Sequence, residues 1–143
     1  MEIFETLIER YLTCGGRVFV SPQYDLRWEA NAATGGACPD FAVIDESRDP
    51  REIVVVEVTT GYDLGSLFDR ITHREKRWFE RLRKDFGAAV RLLAFIRADR
   101  MAEAEAWRAK AGIPRDEVCF HPIEAATFPW LYWTDRVTNG LPR

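Results

Sequence analysis

Apolar side chains return every three to four positions over the first dozen residues. Ile3, Phe4, Leu7, Ile8, Tyr11 and Leu12 form one stripe that ends at the glycines of "CGG", Cys14 to Gly16, so the spacing predicts an N-terminal helix. "RVFVS" then predicts a short strand up to Pro22. Two β-branched-rich runs follow, "DFAVID" (40–45) and "EIVVVEVTT" (52–60), and the polar turn "ESRDPR" between them predicts an antiparallel pair. In "IVVVEV" apolar residues occupy both parities, which is the pattern of a strand covered on both faces. The stretch "PQYDLRWEANAATGGACP" (22–39) is looser, with a strand expected near Tyr24 to Glu29.

After the break at "GYDL", Leu67, Phe68, Ile71, Trp78, Phe79, Leu82 and Phe86 recur at helical spacing and predict one long helix over 65–86. "AVRLLAFIRA" predicts another buried strand, "DRMAEAEAWRAKAGIP" a helix capped by Asp99, and "EVCFHPI" a last short strand. The aromatic tail, with Trp130, Tyr132 and Trp133, is expected to pack on the body or to form the contact between two copies of the chain. The expected order is helix, three strands, helix, strand, helix, strand: an α/β fold with a central mixed sheet flanked by helices.

Composition fits one folded domain over residues 1–143. Hydrophobic residues make up 47% of the chain and charged residues 30%, so disorder is not expected. A net charge of -3 excludes a wholly basic nucleic-acid coat but leaves room for a basic face. Cys14, Cys38 and Cys119 are scattered and lack CxxC spacing, and Cys119 with His121 is too small a set for zinc. The acidic, amphipathic start and the lack of any long apolar run make the expected location cytoplasmic.

Candidate chemistry lies in the two central strands. Asp40 follows Pro39, close to Gly35-Gly36, and Glu57 interrupts a strand otherwise written for a dry interior. Two acids on neighbouring strands can chelate one divalent cation, whereas a buried carboxylate without a partner is costly. A strand-entry aspartate and an ion-paired glutamate are the structural alternatives.

With "PD" opening the second strand and "VEV" in the third, residues 1 to 97 resemble the PD-(D/E)XK, or restriction-endonuclease-like, nuclease superfamily. The resemblance implies a restriction-endonuclease-like core of order αβββαβ with an added αβ, and hydrolysis of phosphodiester bonds in nucleic acid, DNA in the first place. It implies Mg²⁺ or Mn²⁺ held by Asp40 and Glu57, with a helix-one glutamate, Glu5 or Glu9, assisting. In that family the position of Thr59 holds a lysine; a hydroxyl can hold a water but carries no charge.

Some members move the basic residue to the following helix, where His73, Arg74, Lys76 and Arg77 stand. Helical spacing turns His73 and Arg77 away from the stripe and makes Lys76 and Arg74 the expected substitutes. Glu75 falls in the middle of the stripe, where it needs an arginine or the metal site as partner. Arg70, Arg74, Arg77 and Arg81 make the helix a candidate phosphate-binding face, with a solvated, ion-paired surface as the alternative. Two functions stay open: a metal-dependent nuclease, and a catalytically inactive relative that binds nucleic acid or protein.

Overall fold

The computed structural model describes residues 3–24, 38–127 and 129–143. The unbroken apolar run becomes the middle of the sheet. Strand β3 (Glu52–Val58) is buried from Ile53 through Glu57. On one side it pairs antiparallel with β2 (Phe41–Asp45), Phe41 opposite Val56, and β2 pairs antiparallel with β1 (Val18–Pro22). On the other side it pairs parallel with β4 (Ala89–Ile96), which pairs parallel with β5 (Val118–Pro122). Among the described residues the sheet is therefore mixed, in the order β1-β2-β3-β4-β5.

Among the described residues both edge strands end in proline. Pro22 lies opposite Phe41 and Pro122 opposite Ile96. Proline brings no N–H to a ladder, and an edge is where a sheet tolerates that.

Alternation along β3 divides the core in two. Val54 and Val56, with Phe41, Val43 and Leu93, face Ile8, Tyr11 and Leu12 of helix α1 (Ile3–Thr13). Ile53 and Val55, with Leu92, Ala94 and Phe120, face the segment after β3. That segment contributes Leu67, Ile71, Trp78 and Leu82, none more than 1% exposed, and each such side chain contributes roughly 1.5–3 kcal/mol by leaving water.

The long helix is interrupted. It consists of α2 (Gly65–Thr72), a π-helical turn at Glu75–Phe79 and α3 (Glu80–Phe86). His73, at φ -99° and ψ 19°, ends α2, and the Glu80 N–H reaches back five residues to the Glu75 carbonyl. A count at 3.6 residues per turn does not carry across such a break. Trp78 and Phe79, adjacent in sequence, both reach the core, and Glu75 is exposed. Glu75 thus has the arginine partner expected of it, since Arg83 Nη2 donates to its two oxygens at 2.6 and 2.7 Å, but it lies on the surface and not on the stripe.

After β4 a 3₁₀ turn (Ala98–Arg100) leads into α4 (Met101–Lys110), which crosses over to β5. Asp99 does not cap α4. It lies in the 3₁₀ turn, where both its oxygens accept from Arg97.

Helices α5 (Ile123–Thr127) and α6 (Pro129–Asn139) follow β5. Trp133 packs against the α1 side of the core and its Nε1 donates to the Ala126 carbonyl at 3.4 Å. Arg136, buried, donates through Nη2 to the Leu12 carbonyl at 2.7 Å, and Leu141 is buried in the same cluster. This part of the tail packs on the body, as expected. The side chains of Trp130 and Tyr132 lie outside the described residues, as do Gly35-Gly36 and, apart from Tyr24, the strand expected near Tyr24 to Glu29. No helix among the described residues is long and apolar enough to cross a membrane.

Candidate functional site

Glu57 shares its parity with Ile53 and Val55, so its side chain lies on the α2 side of the sheet near the carboxyl end of β3. It is 5% exposed. Asp40 stands immediately before Phe41, the partner of Val56, which sets it beside the end of β3. The Val58 N–H donates to Asp40 Oδ2 at 2.7 Å and fixes that carboxylate next to Glu57.

The consequence is electrostatic. Burial, followed by the charge and hydrogen bond of the Asp40 carboxylate, pushes the Glu57 pKa up to about 8, while the Arg70 and Arg77 guanidinium groups pull the other way. Two carboxylates crowded in a dry place disfavour each other's charge, and a proton or a cation relieves both.

Arg70 on α2 is the cation in contact. Its Nε lies 3.4 Å from Glu57 Oε1, without the alignment of a hydrogen bond, and its Nη1 donates to Ser66 Oγ at 2.9 Å. Arg77, half-buried, has its guanidinium 5.0 Å from the Trp78 ring centroid, and its Nε has no hydrogen-bond partner. The preference for Lys76 and Arg74 is thereby reversed. Lys76 is exposed on the π-helical turn, and Arg74 is engaged elsewhere, its Nε donating to Glu117 Oε1 at 2.8 Å and its Nη1 to the Ile71 carbonyl at 3.0 Å. The break at His73 rotates these residues away from the direction that a continuous helix gives them.

Thr59 lies one residue past β3, half-buried, with its N–H donating to the Phe95 carbonyl at 2.9 Å. Glu5 and Glu9 are half-buried on α1, whose core side chains meet Val54 and Val56 on the face of β3 opposite Glu57. Among the described residues no three Asp, Glu, His or Cys side chains are grouped to hold a metal. The helix-one glutamate is therefore not gathered with Asp40 and Glu57.

The arginine face is largely ion-paired. Arg81 Nε meets Asp85 Oδ2 at 2.8 Å, Arg74 meets Glu117 and Arg83 meets Glu75, in keeping with the solvated alternative. Cys119 is buried and His121 half-buried on β5. Tyr11 stacks on the His121 ring at 5.9 Å and Phe95 meets it edge-on at 5.7 Å, and burial pushes the His121 pKa down to about 4. That arrangement is core packing.

As a donor set, Asp40 and Glu57 offer hard carboxylate oxygens, one of them occupied by the Val58 N–H. Such a pair suits a small divalent cation that keeps most of its waters, Mg²⁺ or Mn²⁺, and does not suit zinc. No family model, curated protein or solved structure matches the chain. The site therefore stands on its own geometry. Helical spacing offers Arg70 as a phosphate contact and does not single it out as the partner of Glu57; its signal is its place beside Ile71 at the border of the apolar stripe.

Proposed function

We propose that this protein is a divalent-cation-dependent phosphodiesterase acting on nucleic acid, DNA in the first place, with a restriction-endonuclease-like core. The observation that carries the reading is the meeting of the Asp40 and Glu57 carboxylates at the end of a buried strand. The helix, three-strand meander, helix and parallel strand around them support the same fold. Asp40 and Glu57 would hold Mg²⁺ or Mn²⁺, which when bound acidifies a coordinated water and steadies charge on a phosphate.

The chain's own groups divide the remaining work. Asp40 is oriented by the Val58 N–H, and Glu57 must give up its proton before it binds a cation. Arg70 supplies the positive charge that Thr59 lacks. A guanidinium stays protonated, so Arg70 offsets developing charge and takes no proton. The Thr59 hydroxyl is a water-positioning group.

Calorimetry with Mg²⁺ and Mn²⁺, and cleavage of end-labelled DNA and RNA, test this reading. Binding and cleavage are expected for the intact chain and loss of both for Asp40→Ala and Glu57→Ala. Absence of divalent-cation binding overturns it.

The inactive relative is favoured by one observation, the guanidinium already set against Glu57 where the family has its catalytic lysine on the strand. In that case Glu57→Gln binds nucleic acid as the parent does and neither cleaves it.

A further inference from the structure

We infer that Tyr62 is a stacking platform for an unpaired nucleobase, so that nucleic acid meets the carboxylate pair as a single strand or a frayed end. The inference rests on the nuclease reading for what happens next, but the binding it describes is separable from cleavage.

Tyr62 lies in the loop that joins β3 to α2 and is 61% exposed. An aromatic ring that merely completes a core is covered. This one is open, yet held: the guanidinium carbon of Arg100 lies 4.1 Å from the ring centroid and that of Arg97 lies 5.5 Å away. Neither arginine is a loose cation. Arg97 makes two hydrogen bonds to Asp99, at 2.9 and 2.7 Å, and Arg100 pairs with Glu103. With their charges answered by acids, these arginines serve better to fix the ring than to grip a phosphate.

Strand register places the ring at the right end of the sheet. Glu57 is opposite Ala94, and Arg97 lies three residues beyond Ala94, roughly 10 Å along the strand direction. Tyr62 is five residues past Glu57 in the chain. Loops after β3 and β4 thus place an open aromatic ring at the same end of the sheet as Asp40, Glu57 and Thr59.

Every base has a π face, so such a ring takes any sequence, but only where the base is not already stacked inside a duplex. The competing use of the cluster is a solvated cation–π contact that tightens two loops. In that case removing the ring leaves nucleic-acid affinity unchanged.

The test is fluorescence anisotropy of a labelled oligothymidine of about 20 nucleotides, long enough to cover one small domain. A blunt duplex of equal length is compared with it, both in EDTA so that no cleavage intervenes. The intact chain is expected to prefer the single strand. Tyr62→Ala is expected to weaken single-strand binding about tenfold without changing duplex binding, and Tyr62→Phe to stay within about twofold of the parent. Equal single-strand affinity for the parent and Tyr62→Ala overturns the inference, as does absence of a single-strand preference in the parent. If Asp40→Ala abolishes cleavage while Tyr62→Ala binds like the parent, the platform fails and the nuclease stands. If nothing is cleaved and Tyr62→Ala still loses the single strand, the platform stands without the nuclease.

Discussion

Burial and the neighbouring Asp40 carboxylate raise the Glu57 pKa from 4.5 to about 8, so the folded chain keeps a proton there that the unfolded chain releases. The stability tied to this group is full below about pH 4.5 and is lost as pH rises through about 8. His121 works in the opposite sense. Its folded pKa is lowered from 6.5 to about 4, so its contribution is present above about pH 6.5 and is lost as pH falls through about 4. The two oppose each other in the acid range, and the Glu57 decline stands alone from about pH 6.5 to 8. Urea midpoints of the metal-free chain are expected to fall across that window, and Glu57→Gln is expected to flatten the curve. On the function proposed above, cation binding runs the other way, because Glu57 would have to lose its proton to act as a ligand: Mg²⁺ affinity is then expected to rise between about pH 6 and 8.5 when followed by calorimetry. Asp40 and Glu57 were legible in the sequence because one follows a proline at a strand start and the other breaks an apolar run. Arg70 was not, since which helical cation reaches Glu57 depends on a helix break that no periodicity announces.

At the scale of elements, the strands were legible because β2, β3 and β4 are written in mostly apolar runs rich in Val, Ile and Leu, whose parity also assigns the two faces. Their order and the antiparallel β2–β3 pair follow from the same pattern. The segment after β3 was legible as helical but not as three pieces, because Ile71 and Trp78 fit one straight stripe as well as they fit two stripes offset at His73. The end of that segment carries a clear expectation. Gly87 closes α3 at φ 60°, with nothing within 4 Å of where a Cβ would stand, so Gly87→Ala meets only backbone strain. A loss of about 1 kcal/mol in urea denaturation is expected. Trp78→Ala, by contrast, empties a fully buried site against β3 and is expected to cost about 3–5 kcal/mol in the same measurement.

For the whole molecule, the C-terminal region acts as a second cover over the α1 side of the sheet. Trp133 and Leu141 join that core, Arg136 ties α6 to the end of α1, and Arg91 Nη1 donates to the Pro142 carbonyl at 2.8 Å. Truncation after Thr127 is expected to lower stability by at least about 3 kcal/mol, from the apolar surface uncovered, as read by chemical denaturation. Contact between two copies through Trp130 and Tyr132 remains a proposal for light scattering on the full chain to test, with Trp133 committed to its own core.

Register also has a consequence for how the sheet meets other chains. β1 runs antiparallel to β2, and β5 runs parallel to β3, so Pro22 and Pro122 terminate opposite edges at one shared end, the end that holds Asp40 and Glu57. Among the described residues each edge lacks a backbone donor at this end, where a visiting strand would need one. A strand added to either described edge is therefore expected to pair more readily at the far end, near Val18 and Val118, than beside Asp40 and Glu57.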